Sequence, residues 1–166
     1  MIKLKQYFLT IISVTLLTLM SSCGAIVKGQ ANKHITEEKG AIPPQFGQDK
    51  TTVLFLLHHK SYNKYLKKNV KKIYNGKHLF ITPEQLASNS KYQDTESYRF
   101  VFDYDYITYD YVNNDLETKY GKVKKFNVLD RKDDKRYVAK MTSGLWSKLQ
   151  KVYLKKLNEK RLSFKN

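Results

Sequence analysis

The chain contains a single cysteine, Cys23, which directly follows an apolar segment near the N-terminus. Because a disulfide needs two cysteines, residues 24–166 have no internal disulfide and offer no thiolate for catalysis or metal binding. The 166-residue chain has the length of one domain with its own core. Whatever fold these residues adopt must therefore be stabilised by ordinary packing of apolar side chains.

The first residues have the three parts of an export signal. Lys3 and Lys5 form a short basic region, and the mostly apolar run of residues 7–20 follows it. A run of about 14 residues is short for a helix that crosses roughly 30 Å of hydrocarbon, but it is typical of a signal peptide. We therefore interpret residues 1–22 as a cleaved signal and not as a permanent membrane anchor.

The residues before Cys23 resemble the lipobox of bacterial lipoproteins. Residues 19–23 read Leu-Met-Ser-Ser-Cys, with Met20 where leucine is usual and small residues next to the cysteine. The resemblance implies that the Cys23 thiol carries a lipid and that the membrane is a partner through this lipid. Gly24 stands where lipoproteins of the inner membrane often have Asp, which implies a cell-envelope protein at the outer membrane.

The chain is strongly basic, with 31 Lys and Arg against 15 Asp and Glu. Such an excess suits nucleic acid, an anionic membrane surface, or an acidic protein or polysaccharide. The predicted export excludes nucleic acid as a partner, because the folded domain then lies outside the cytoplasm. The alternative interpretation is that the lysines only solvate the surface.

Sequence patterns divide the remaining chain into a tether and one domain. Residues 23–50 combine glycines, a Pro-Pro pair and scattered charge without periodicity, and they predict a lipidated N-terminus followed by a flexible tether. Residues 51–163 predict a single domain. We expect a mixed β-sheet of about five strands with two main helices packed on it, a two-layer sandwich of the α/β or α+β class.

Hydrophobic periodicity places the elements of this domain. Ser61 is predicted to cap the first helix, and a second, short helix has Thr82 as its cap and Gln85 completing a capping box. The predicted strands cover residues 51–57, 78–81, 97–111, 120–129 and 136–140, and a closing helix covers residues 143–161. The second strand is predicted to run parallel to the first through a right-handed crossover.

The first helix carries lysines on the face opposite its apolar stripe. A lysine face of this kind indicates contact with an anionic surface, and the alternative is a solvated helix face. The lysines concerned are Lys60, Lys64, Lys67, Lys68, Lys71 and Lys72.

Two further groups of residues are candidates for chemistry. His58 and His59 follow the first strand, where open α/β sheets tend to place ligands. Adjacent residues in an extended segment point to opposite faces, so the two histidines cannot chelate one ion without a special turn. Asp103 and Asp105 share a strand face, but the surrounding sequence lacks the register of a calcium loop. Pairing with lysines of the neighbouring strand is the alternative interpretation for these acids.

The sequence has no nucleophile elbow, phosphate-binding loop or dinucleotide fingerprint. We therefore predict a non-enzymatic envelope lipoprotein, without cofactor or metal, that acts by binding a protein partner in an envelope assembly. Two alternatives stay open. One is an envelope hydrolase or metal-dependent enzyme that uses His58, His59, Asp103 and Asp105, and the other is a basic domain that binds anionic lipid or polymer directly.

Overall fold

The computed structural model describes residues 24–164 of the chain. Within this part, the strands are β1 (Val53–Leu56), β2 (His78–Ile81), β3 (Phe100–Val112), β4 (Thr118–Asp130) and β5 (Lys135–Val138). The helices are α1, which covers residues 24–34, α2 (Lys60–Ile73), α3 (Pro83–Ser88) and α4 (Trp146–Leu162), with a 3₁₀ turn at Ser90–Gln93.

The strands form one mixed sheet in the order β2-β1-β3-β4-β5. Strand β1 is parallel to both β2 and β3, whereas β4 is antiparallel to both β3 and β5. The β1–α2–β2 segment is therefore the parallel crossover unit that the sequence predicts. A five-stranded mixed sheet with helices packed on it confirms the predicted two-layer class.

Local sequence explains how the first helices begin. All four residues of β1 are buried, as the continuous apolar run predicts. Helix α2 is capped by His59, whose Nδ1 accepts a hydrogen bond from the Tyr62 N–H at 3.3 Å, so the predicted cap, Ser61, lies inside the helix. Helix α3 has the predicted capping box, in which Thr82 and Gln85 exchange hydrogen bonds.

Apolar side chains are buried on both faces of the sheet. The larger cluster lies between the sheet and the helices α1, α2 and α4, and in it the ring of Phe102 lies 5.5 Å from that of Phe55 and 5.4 Å from that of Tyr153. The smaller cluster lies on the opposite face, where Leu54 and Val101 pack with residues that follow β2. Both faces of β1 are therefore covered, which explains its unbroken run of apolar residues.

The prediction of a flexible tether is wrong for residues 24–50. Part of this segment is the helix α1, and its apolar side chains belong to the main core, where Ile35 and Phe46 are buried. The Tyr153 hydroxyl also donates hydrogen bonds to the carbonyl oxygens of Ala41 and Tyr137. The segment therefore packs on α4 and completes the core. Its glycines and prolines interrupt periodicity along the sequence, but they do not prevent burial.

Cys23 and the predicted signal, residues 1–22, lie outside the described residues. In the described range 24–164, no helix is both long enough and apolar enough to span a membrane.

Candidate functional site

Helix α2 exposes every lysine of the predicted face and buries the opposite side. Its buried residues are Tyr62, Leu66, Asn69 and Val70, and its sequence contains no Asp or Glu. None of its lysines forms an ion pair with a carboxylate in residues 24–164. We call Lys60, Lys64, Lys67, Lys68, Lys71 and Lys72 the α2 lysine face. Its positive charge is left unneutralised by neighbouring side chains of the described chain.

Helix α4 lies beside α2 and runs in the same direction. Near the first turns, the Tyr65 and Trp146 rings meet edge to face at 5.4 Å. Towards the other end, the Asn75 N–H donates a hydrogen bond to Asn158 Oδ1 at 3.1 Å. The two helices therefore begin at one end of the domain, the end at which β1 stops.

Helix α1 continues this layer on the other side of α4. Gly24 lies against the side chain of Lys148 in the first turn of α4, where an added Cβ would collide with it. Just beyond α1, Glu37 pairs with Lys160 of the last turn of α4 at 2.7 Å. Helices α1, α2 and α4 thus form one parallel layer, here called the helix layer. Gly24, the first described residue, therefore lies at the end of the layer where α2 and α4 begin.

Lysines are also exposed on the other two helices of the layer. Those on α1 are Lys28 and Lys33, and those on α4 are Lys148, Lys151 and Lys155. Among these, Lys155 has an acidic neighbour, Glu159, at 3.4 Å. The positive charge of the α2 lysine face therefore extends across the whole layer.

The structure brings His58 together with Asp103. The Nε2 atom of His58 lies 2.6 Å from Asp103 Oδ1, and the same oxygen accepts the Tyr104 N–H at 2.7 Å. His59 faces its own helix instead, as the cap of α2. Burial, followed by the positive charges of Lys124 and His58, lowers the pKa of the His59 imidazole. The two adjacent histidines therefore have separate roles.

Asp105 lies on the same strand face as Asp103 but has different partners. Both of its carboxylate oxygens lie 3.1 Å from Arg136 Nη1, and Oδ2 also accepts a hydrogen bond from Asn127 at 2.9 Å. The cation that pairs with Asp105 is thus an arginine of β5. The interpretation from the sequence paired this acid with lysines of the neighbouring strand. Of the residues named for the enzyme alternative, the structure joins His58 with Asp103 and keeps His59 and Asp105 apart from that pair.

Two observations bear on metal binding and catalysis at this end of the sheet. No group of three or more His, Cys, Asp or Glu side chains within residues 24–164 is placed to hold a metal ion. A cavity of about 280 Å³ opens at the opposite end of β1, where Val53, Lys77 and Arg161 contribute to its lining. The pair of His58 and Asp103 therefore lies away from this cavity.

Lys124 is buried, although one interpretation of the sequence makes the lysines of this strand partners of Asp103 and Asp105. Only 8% of its surface is exposed, and its Nζ lies 5.0–5.1 Å from the ring centroids of Tyr104, Tyr106 and Trp146. A cation among aromatic faces is stabilised by their quadrupoles. The available signal was the strand alternation, which places Lys124 opposite Tyr106 on the core face. This cluster links the helix layer to the hairpin of β3 and β4.

The β3–β4 hairpin extends well beyond the sheet. Each strand has 13 residues, yet β1 pairs with β3 only as far as Phe102, and β5 pairs with β4 from Asn127 onward. Residues 104–112 and 118–126 therefore form a two-stranded ribbon, whose two outer edges pair with no other strand of the described chain. Its exposed tyrosines are Tyr106, Tyr109, Tyr111 and Tyr120.

The ribbon leaves the domain at the end where the helix layer begins. Strand β3 runs parallel to β1, and the Tyr104 ring at the base of the ribbon packs on Tyr62 of the first turn of α2 at 4.6 Å. The same end therefore carries the ribbon, the N-termini of α2 and α4, and Gly24.

No protein-family model, no curated protein and no solved structure matches this chain.

Proposed function

We propose that this chain is a lipid-anchored protein of the bacterial cell envelope, at the outer membrane, whose domain acts by binding and not by catalysis. In this proposal, Cys23 carries the lipid and the helix layer rests on anionic headgroups through the α2 lysine face. The observation that supports it most is the position of Gly24 in the same layer as six lysines that form no ion pair within residues 24–164.

The electrostatics of the helix layer support this proposal. Near an anionic membrane surface, each lysine contributes about 1 kcal/mol of attraction. A lipid chain and a basic surface act together as two membrane signals, which bind far more stably than either signal alone. Because the three helices form one layer, the lipid on Cys23 and the lysines can reach the same membrane surface.

The enzyme alternative has less support in the described residues. His58 and Asp103 form a close pair, but Asp105 is held by Arg136 and His59 caps α2. Asp103 also holds the backbone N–H of Tyr104, which is a structural role at the base of the ribbon. A binding domain therefore accounts for more of the observed contacts than a hydrolytic site does.

Binding to vesicles tests the role of the α2 lysine face separately from the anchor. Residues 24–166, which contain the described core, are mixed with vesicles of phosphatidylcholine alone or with about one third phosphatidylglycerol, and bound protein is measured by co-sedimentation. We expect binding only to the anionic vesicles, and we expect it to fall steeply with salt because the charges are exposed. Binding that high salt leaves unchanged would contradict the proposal.

Charge reversal locates the contact surface. Replacing Lys64, Lys68 and Lys71 by Glu should weaken binding by about 100-fold or more, since several lysine contributions are lost and repulsion is added. The matched control reverses three exposed lysines outside the helix layer, Lys91, Lys119 and Lys122. The control should keep most of its binding. Equal loss in both variants would show that net charge acts instead of this surface.

A further inference from the structure

The cavity at the start of β1 has apolar walls that belong to the main core. Val53, Tyr74 and Phe100 are almost completely buried and line it together with Phe164. The ring of Phe46 lies 6.3 Å from that of Tyr74 and 4.9 Å from that of Phe100. Core packing therefore fixes these walls before any ligand binds. The volume of about 280 Å³ is just below the usual range of ligand pockets, about 300–1,000 Å³, and it suits a small molecule.

The lining of the cavity is positively charged. Among the described residues that line it, the cations are Lys50, Lys77 and Arg161, and the one acid, Asp49, is paired with Arg99 at 2.8 Å. None of the three cations forms an ion pair with a carboxylate in residues 24–164. An anion that enters the cavity therefore meets positive charge that no neighbouring side chain neutralises.

Two loops and an aromatic ring hold the side chain of Arg161. A Cβ added at Gly47 would collide with the backbone of Arg161, and one added at Gly76 would collide with its Cδ, so only glycines let both loops come this close. The guanidinium carbon lies 5.7 Å from the centroid of the Tyr74 ring, and Nε and Nη2 donate hydrogen bonds to Asn158 Oδ1. Within residues 24–164, Nη1 donates no hydrogen bond, so it is available to a ligand.

We propose that this cavity binds a small organic anion. Its oxyanion group, a carboxylate or a phosphate, contacts Arg161 and the two lysines, and its apolar part lies against Val53 and Phe100. A guanidinium suits both kinds of oxyanion, because its planar array of donors matches their oxygens. The buried apolar walls favour an organic group, since an inorganic ion would leave them in contact with water.

The position of the cavity favours a ligand taken from solution. The cavity opens at the start of β1, whereas Gly24 and the N-termini of α2 and α4 lie at the end where β1 stops. It is also remote from the pair of His58 and Asp103. The inference therefore depends neither on a lipid at Cys23 nor on the α2 lysine face, and failure of the vesicle experiment would leave it intact.

Isothermal titration calorimetry of the full-length chain, purified from the producing cells in a non-ionic detergent, tests for the site. The probes are phenyl phosphate and phenylacetate, which carry the two oxyanions on a phenyl group. Inorganic phosphate and acetate lack the apolar part, benzyl alcohol lacks the charge, and each compound is also titrated into detergent alone. We expect at least one aromatic anion to bind at one site per chain, about 10-fold or more tightly than its matching inorganic phosphate or acetate and than benzyl alcohol.

A matched pair of arginine variants locates the site. Arg161→Gln should weaken binding of the aromatic anion about 10-fold or more, because a charge-assisted contact is lost. Arg136→Gln removes the same charge from a half-exposed position on β5, far from the cavity, and should bind like the unchanged chain. Circular dichroism and thermal unfolding compare the folding of both variants. The double variant Lys50→Gln and Lys77→Gln changes exposed positions only, so it tests the charge without disturbing the core and should also bind several-fold more weakly.

Four outcomes would overturn the inference. They are no binding of either aromatic anion, equal binding of the small or the neutral control compound, equal loss of binding in Arg161→Gln and Arg136→Gln, and unchanged binding in the lysine double variant. If Arg161→Gln does not fold, the lysine double variant decides the result.

Discussion

His58 and Asp103 meet at the point where β1 ends and β3 leaves the sheet, with Nε2 and Oδ1 2.6 Å apart. The same Asp103 oxygen holds the Tyr104 N–H, the first outward-facing backbone group of the ribbon. This carboxylate therefore occupies a position that a neighbouring strand would fill inside a continuous sheet. The pair closes the edge of the sheet and defines where the ribbon begins.

Replacing Asp103 tests this structural role. Asp103→Ala removes two hydrogen bonds at a half-buried position, and we expect the free energy of unfolding to fall by about 1–3 kcal/mol. Asp103→Asn keeps an acceptor for the Tyr104 N–H, so it should lose less. Urea denaturation followed by circular dichroism measures both. Equal losses would show that the charge, and not the backbone contact, is what stabilises this corner.

The cap of α2 predicts a dependence of stability on pH. His59 Nδ1 accepts the Tyr62 N–H only while it is unprotonated, and the pKa of His59 is lowered in the folded chain, mainly by burial. The unfolded imidazole has a pKa of about 6.5. The contribution of the cap to the free energy of unfolding is therefore complete above about pH 6.5. It is lost as the pH falls through the lower pKa that His59 has in the folded chain.

The matched variants for this cap are His59→Asn and His59→Ala. Asparagine is a good cap that does not titrate, so it should keep the stability at neutral pH and reduce the loss on acidification. Alanine should cost about 1 kcal/mol at pH 7.5. Thermal unfolding between pH 5 and pH 8 provides the comparison. An unchanged pH profile in His59→Asn would mean that another group causes the dependence.

We expect the largest loss of stability from a single substitution in the buried ion pair of Arg99 and Asp130. Two guanidinium nitrogens each lie 2.8 Å from a different oxygen of the fully buried Asp130 side chain. Hydrogen bonding to Asp130 raises the pKa of Arg99, which stays charged. Asp130→Ala leaves that charge buried without its main partner, so we expect a loss of about 3–5 kcal/mol.

Asp133 provides the control for the buried pair. It lies 3.2 Å from the same guanidinium, but its side chain is 47% exposed. Asp133→Ala should therefore cost about 1 kcal/mol or less. Guanidinium chloride denaturation of the two variants should show a clear difference, and similar losses would contradict the assignment of Asp130 as the principal partner.

The lipid attachment proposed at Cys23 predicts the location of the protein in the cell. In the full-length chain, Cys23→Ala should prevent acylation and leave an unprocessed or mislocalised precursor, because the thiol is the attachment point of the lipid. Immunoblots of fractionated cells and the mass of the purified protein measure the result. A variant that is still processed and still fractionates with the envelope would contradict the lipoprotein proposal.

Local patterns predicted much of the fold. The bounds predicted for β2 agree with the structure, and the capping box of α3 is present as expected. The burial of β1 on both faces follows from its continuous apolar run. Each of these features depends on residues within a few positions of one another, so a single sequence contains the information.

Two of the errors concern contacts between distant segments, and one is local. The core position of Phe46 depends on β3, whose Phe100 ring lies 4.9 Å away, and the partner of Asp105 is an arginine of β5. Neither contact has a periodic or local signature. The prediction of Ser61 instead of His59 as the cap of α2 is a local error, because histidine is not among the usual capping residues.

The sequence by itself determined the types of the strands and helices from β1 to α4, the lysine face of α2 and the absence of any thiol beyond Cys23, because these follow from residue identity and short-range spacing. Only the tertiary structure decided that residues 24–50 cover the core, that Gly24 lies in the helix layer, and that the ribbon leaves the sheet with a bare edge. Those outcomes depend on which surfaces remain after all segments have packed, and the pattern of any one segment does not contain that information.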